Sequence, residues 1–263
     1  VVTENMIVDL GEHRTLISDI EDFILHHMDG NSFVKTIFYQ RMASSLHAMS
    51  RTLQNRINKY GDGISKSTEI DSEIVSEFDD EGVDIQEVSL SRLERNERRR
   101  INTLLNKIKT VGEEFGTDPK MNTLHELVTL HVNNGRQVLV FSRFTDTTSI
   151  IEQKLNADGK FTVARFDGTT TRYRLKGETE SKEISKEELI DLMFDEIIDV
   201  VVCSDAASEG LNLQSASVLI NVDVPWNPAR LLQRIGRIDR LGQRNKQIFV
   251  TNLLYIDSIE SRM

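Results

Sequence analysis

The chain of 263 residues has a single cysteine, Cys203, so it can close no disulfide within itself, and a lone thiol suits a reducing interior. It has no apolar run near the roughly 20 residues needed to span a bilayer, so no membrane partner is expected. Val1 to Gly11 carry acids and no basic n-region, which argues against a signal peptide. The six histidines lack metal-ligand spacing, and the adjacent His26 and His27 cannot share one helical face, so no metal site is expected. Positive charge is also short: the net charge is −10. With 28% charged and 38% hydrophobic residues, the composition is that of an ordinary globular chain, long enough for one large domain or two small ones.

A mean charge of −10 hides strong segregation. Residues 61–90 hold ten acids and one lysine, which leaves the rest of the chain nearly neutral. Residues 91–109 follow with seven Arg or Lys against two Glu. The mean therefore says little about any particular surface. The run Arg98-Arg99-Arg100 reads most simply as the solvated face of a helix, with a phosphate contact as the alternative.

The pattern predicts a helical part, 1–117, followed by an α/β part, 118–263. Met42, Leu46, Met49, Leu53 and Ile57 recur at helical spacing and mark one apolar stripe, ended by Gly61. Residues 61–90 read as a polar, acidic loop. Leu93, Ile101, Leu104, Ile108 and Val111 fit another helix, stopped at Gly112. Asp118-Pro119 opens a third, with Asp118 as N-cap, and Asn133-Asn134-Gly135 ends it. Short apolar runs then alternate with helical stretches. Strands are expected at 137–141, 161–166, 200–203, 218–222 and 248–255. Helices are expected from Thr145 to Leu155, from a capping box at Ser185 through Phe194, and after Asn227-Pro228. Such alternation argues a parallel sheet covered on both faces, with ligands at the carboxyl ends of its strands.

The polar turns after these strands are the candidate sites. Ser142-Arg143 follows the first strand and offers a hydroxyl and a guanidinium to a nucleic-acid backbone; a surface Arg beside a helix cap is the plain alternative. Asp167-Gly168-Thr169-Thr170 is a small polar turn. Ser204 to Gln214 is rich in small residues, and its Gly210 permits close backbone approach, although a tight connection would look the same. Pro225-Trp226-Asn227-Pro228 brackets the only tryptophan with two of the three prolines and reads as a rigid turn with a packed indole. The most informative stretch is Gln233 to Gln243, Gln-Arg-Ile-Gly-Arg-Ile-Asp-Arg-Leu-Gly-Gln, with Arg237 and Arg240 three apart. Guanidinium forks at i and i+3 of a helix share a face and suit one phosphate approached from one side.

Taken together, these blocks resemble the second RecA-like lobe of superfamily-two helicases, and within them the SWI/SNF-like DNA translocases. Phe141-Ser142-Arg143 looks like motif IV, Asp167-Gly168-Thr169 like the DG-T element, Ser204 to Gln214 like motif V and Gln233 to Gln243 like motif VI. Gln233, the Leu241-Gly242-Gln243 ending and Pro225-Trp226-Asn227-Pro228 favour the SWI/SNF branch over RNA helicases, and Glu209 to Gln214 is similar to prokaryotic members. The likeness is strong over 118–257, weaker over 33–57 and absent over 61–90. It implies an α/β fold with a RecA-like parallel sheet flanked by helices. It implies that Arg237 and Arg240 face the β/γ-phosphates of ATP held, with Mg2+, mainly by an N-terminal RecA-like lobe. Gly210, Asn212 and Gln233 would line the nucleotide side, and Ser142, Arg143, Thr169 and Ser204 would touch one strand of double-stranded DNA. Glu209 departs from the Gly of eukaryotic members, and residues 172–188 exceed the usual connection.

No phosphate loop of the Gly-x-x-x-x-Gly-Lys-Ser/Thr kind is present. Gly30 to Thr36 mimics its end, but Val34 stands where Gly must precede Lys; Asp79-Asp80-Glu81 mimics an acidic magnesium motif only in letters. The stretch is therefore expected to be a fragment of an ATP-dependent double-stranded DNA translocase, inactive alone, cytoplasmic and nucleoid-associated, or nuclear if eukaryotic. The lobe of an RNA helicase and a non-catalytic scaffold domain are the rival readings.

Overall fold

The computed structural model describes residues 1–28, 32–60, 95–116, 118–168, 170–205 and 213–256. They fall into two units. One comprises Val1–Asp9 with Lys120–Met263, the other Leu10–Pro119.

The first unit is built on an eight-stranded sheet: β1 Val2–Val8, β2 Val138–Phe141, β3 Val163–Phe166, β4 Thr171–Arg174, β5 Lys182–Glu183, β6 Val200–Cys203, β7 Val218–Asn221 and β8 Phe249–Tyr255. The spatial order is β1-β8-β7-β2-β6-β3-β4-β5. The six strands from β1 to β3 are parallel, as the alternation predicts; β4 and β5 extend the edge antiparallel, so the sheet is mixed. The four residues of β2, of β6 and of β7 are all buried, which is why these strands read as unbroken apolar runs. Helices α5 Pro119–Asn133, α6 Thr145–Asn156, α7 Lys186–Phe194 and α8 Pro228–Ile235 connect them. The core gathers Leu139, Phe141, Val201, Leu219 and Val250 with Leu189, Met193 and Ile238.

Two local expectations hold at atomic detail. Ser185 accepts from Glu188 N while the Glu188 carboxylate accepts from Ser185 N, a complete capping box. Asn227 Oδ1 accepts from Ala229 N at 2.9 Å, with Pro228 at the first helical position.

The second unit is helical: α1 Arg14–Asp22, a π-helical turn Phe23–His27, α2 Ser32–Ser44, α3 Leu46–Tyr60 and α4 Arg95–Phe115. The acidic segment 61–90, with Gly61 and Leu93, lies outside the described residues.

Three expectations need correction. Val2–Val8 is not part of a helical segment but an edge strand paired along its whole length with β8. The stripe from Met42 to Ile57 spans two helices rather than one. Ser45 lies between them, its hydroxyl accepts from Ala48 N at 3.0 Å, and Asp118 Oδ2 accepts from Leu46 N at 2.9 Å, so the break is capped from two sides. Asp118, the expected N-cap of the helix it opens, thus also meets the start of α3. The helix of Ile101 to Val111 runs past Gly112 to Phe115, because one glycine inside a helix costs only about 1 kcal/mol.

Candidate functional site

β2, β6 and β7 lie side by side with Phe141 in register with both Cys203 and Asn221. The residues that leave their carboxyl ends, Ser142-Arg143, Ser204-Asp205 and Val222-Asp223, therefore converge on one rim. Helix α8 approaches this rim and inserts Arg234, which is only 2% exposed.

Arg234 organises the rim. Its Nε and Nη2 donate to the two carboxylate oxygens of Asp205 at 2.5 and 2.8 Å. Nη1 donates to Asn221 Oδ1 at 2.9 Å and to Asp223 O at 2.7 Å, and Nη2 lies 3.3 Å from Asp223 Oδ1. The guanidinium carbon stands 5.4 Å from the Phe141 ring centre. Asp223 in turn accepts from Ser142 Oγ at 2.6 Å and from Arg143 N at 2.9 Å. Asn221 Nδ2 donates to Asn252, and Asn252 Nδ2 donates to Asn5, so an amide ladder runs from this arginine out to β1. Lys120, fully buried, donates to Val222 O at 2.8 Å.

A buried charge survives only when paired and hydrogen-bonded. Burial alone would lower the proton affinity of Arg234, but Asp205 and then Asp223 outweigh it and raise it above the ordinary value. Burial would likewise raise the Asp205 carboxyl; Arg234, joined by Arg230 and Arg143, holds it below the usual carboxylate range. Burial pushes the Cys203 thiol up, so it stays protonated and unreactive despite the pull of Arg234 and Arg237.

The two arginines singled out in the sequence behave differently. Helix α8 ends at Ile235, and Gly236 closes it by donating its N–H to Leu232 O at 2.8 Å. Arg237 and Arg240 therefore sit on the turns after the helix and not on one helical face, which corrects that expectation. Arg237 is half-buried, its Nε has no hydrogen-bond partner, and among the described residues no acid pairs with it. Arg240 is exposed and donates its Nε to Gly236 O at 2.6 Å. Ile238, between them, is buried in the core and anchors the turn. Gln243 Nε2 fastens it by donating to Ala216 O and Ile238 O at 2.9 and 2.8 Å.

The remaining expected site residues divide into three groups. Arg143 is half-buried at the rim, and Gln233 is exposed on α8. Ser142 and Ser204 are buried, at 0% and 2% exposure, and the Ser142 hydroxyl donates to Asp223 Oδ2. Thr169, Glu209, Gly210 and Asn212 lie outside the described residues. The sequence reading missed Arg234, Asp205, Asp223 and Lys120; a solitary acid one or two residues beyond an apolar strand was the available signal. Among the described residues no cluster of three His, Cys, Asp or Glu could hold a metal, and no helix is long and apolar enough to cross a membrane.

The helicase conserved C-terminal domain family matches residues 119–242, which begin at α5 and end inside the arginine turn. Residues 119–242 are a helicase conserved C-terminal domain. Its relatives include helicases of the SWI/SNF type. An uncharacterized ATP-dependent helicase of Bacillus subtilis is 32% identical over 127 residues, 48% of this chain and 20% of that protein. The RNA polymerase-associated protein RapA of Photobacterium profundum is 34% identical over 138 residues, 52% of this chain and 13% of that protein. The chain thus spans a fifth or less of these two relatives. The C-terminal part of the Fun30 ATPase domain shares the fold, with a TM-score of 0.57 at 20% identity over 99% of this chain and 86% of that one. The helicase domain of Pyrococcus furiosus Hef does so at 0.53 and 18%, over 100% of this chain and 57% of that one.

Proposed function

We propose that the chain is the C-terminal motor lobe of an ATP-dependent, SWI/SNF-like translocase of double-stranded DNA. In this reading Arg237 and Arg240 face the β/γ-phosphates of ATP bound, with Mg2+, by an N-terminal RecA-like lobe of the same polypeptide. Gly210, Asn212 and Gln233 line the nucleotide side. Ser142, Arg143, Thr169 and Ser204 lie along one DNA strand.

The observation that carries the reading is the unequal treatment of the three arginines. Arg234 is buried against Asp205 and Asp223, whereas Arg237 and Arg240 have no acid partner among the described residues, and Arg237 keeps a buried Nε without an acceptor. A half-buried cation held in that state fits an incoming anion. A guanidinium supplied to a transferring phosphoryl group stabilises the charge spread over its oxygens and contributes on the order of 10³–10⁵ in rate. Because the donor sits on one lobe and the nucleotide on another, turnover depends on closure, and closure and opening would move the lobes along the duplex. The DNA grip would be phosphate-directed, indifferent to sequence and weakened by salt.

The test is ATP hydrolysis by the intact polypeptide with and without duplex DNA. Arg237→Ala and Arg240→Ala should each abolish the DNA-stimulated rate while fluorescent nucleotide still binds. Turnover retained in both variants removes the finger assignment. Stimulation by RNA in place of duplex DNA transfers the lobe to the RNA helicases, and intact folding without any nucleotide-dependent activity in the parent protein leaves a scaffold.

A further inference from the structure

The helical unit contains a cleft of about 690 Å³ between the α1–π-turn segment and α4, lined on one side by Asn96, Arg99, Arg100, Thr103 and Lys107. These positions recur along one side of α4, so they run over about 16 Å of helix. The opposite wall brings Asp19, Asp22, His26 and His27.

The acids of the cleft are largely answered from within. Glu97 is buried and held by Arg56, with Nε–Oε1 at 3.1 Å and Nη2–Oε2 at 3.2 Å. Asp19 is met by Lys107 Nζ at 2.5 Å. Asp22 lies 3.2 Å from His27 Nε2. Arg99 and Arg100 are exposed and have no acid partner among the described residues. Two guanidiniums therefore face one carboxylate, Asp22, whose partner is a histidine. The apolar members, Phe23 and Leu104, are buried at 2% and 5% exposure, so the cleft gives a peptide side chain little apolar surface to anchor on.

We infer that this cleft is a second nucleic-acid contact, in which Arg99 and Arg100 grip sugar–phosphate backbone. The inference stands on the charges of the helical unit and does not require the motor reading. The chain carries a net charge of −10, so these cations are no sample of a generally basic surface. Paired donors in fork geometry take phosphate oxygens bidentately, and each phosphate so neutralised releases counterion.

The experiment measures binding of a labelled random-sequence duplex to the full chain by fluorescence anisotropy across a salt series. Arg99→Ala with Arg100→Ala should lower the slope of log K against log salt by about two and weaken binding roughly 10- to 100-fold at low salt. Arg99→Lys with Arg100→Lys should keep the slope, because the charges remain, while losing the fork. Binding is read without nucleotide and without turnover, which separates failure here from failure of the motor reading. An unchanged slope in the alanine pair overturns the proposal. A fall in melting temperature in the alanine pair without a change of slope also overturns it, and gives the two arginines a structural role.

Discussion

The rim of the sheet and the helical unit each contain one arginine that is sealed by an acid and others that are not. At the rim Arg234 is closed by Asp205 and Asp223, and Arg237 and Arg240 follow it. In the helical unit Arg56 is closed by Glu97, and Arg99 and Arg100 follow that glutamate. Residue type is constant across both sets, so it cannot be what separates structural from presented arginines. The acid does that, through its position. Asp205 leaves a buried strand at the point where α8 delivers a guanidinium, and Glu97 sits on the buried side of α4 facing α3. Beyond these pairs, Arg99, Arg100, Arg237 and Arg240 have no acid partner among the described residues.

Turnover should show the largest separation. In the intact polypeptide Arg237→Ala is expected to cost on the order of 10³–10⁵ in DNA-stimulated ATP hydrolysis, with the unfolding midpoint in urea unchanged within about 0.5 kcal/mol. Arg234→Ala should do the reverse first. It strands Asp205 and Asp223 at a buried site, and removing one partner of a buried pair costs about 3–5 kcal/mol, read as a shift of the urea midpoint. Adding Asp205→Asn should recover part of that loss, because one orphaned carboxylate disappears; strict additivity would show that the two groups are not coupled. If Arg237→Ala destabilised as strongly as Arg234→Ala, the distinction between sealed and presented arginines would be gone.

The same pair sets a pH dependence. The Asp205 carboxyl is held low in the folded state, chiefly by Arg234 against the opposing effect of burial. Its contribution is therefore complete above the unfolded carboxylate value of about 3.9 and is lost as pH falls through the lower folded value. Urea midpoints followed from pH 6 downward should decline in this acid range, and Asp205→Asn should flatten the decline. A decline equally steep in the variant would mean that other carboxylates carry it.

These contrasts also show what could be read from letters alone. β2, β6 and β7 were legible because full burial favours apolar residues, broken only at the end of β7 by the hydrogen-bonded Asn221. β1 was not: Val-Thr-Glu-Asn-Met-Ile-Val is mostly exposed at a sheet edge, and only its pairing with β8 makes it a strand. The antiparallel pair β4 and β5 was hidden for the same reason, in a polar run with no buried residue. At the site, the arginine motif stood out by spacing, whereas the choice of Arg234 as the sealed member depends on Asp205 lying 29 residues upstream, a separation no local pattern encodes. Ser142 shows a related limit, since a hydroxyl at a strand end suits both a phosphate and a neighbouring carboxylate, and its bond to Asp223 reaches across 81 positions of sequence.

The smallest expected effect asks whether the arginine turn is held from the front of α8 or from its end. Asn227 caps the first turn and is exposed, while Arg234 locks the last turn to Asp205. Loss of an N-cap costs about 1 kcal/mol. If the buried pair fixes the turn, Asn227→Ala should lower stability by about that amount and leave DNA-stimulated hydrolysis within a few-fold of the parent. Fraying would then be confined to residues ahead of Leu232, where hydrogen exchange should quicken while the amides of Ile238 and Asp239 stay protected by Ile235 O. A large loss of turnover in Asn227→Ala would mean that the helix as a whole, and not the buried arginine at its end, sets the position of Arg237.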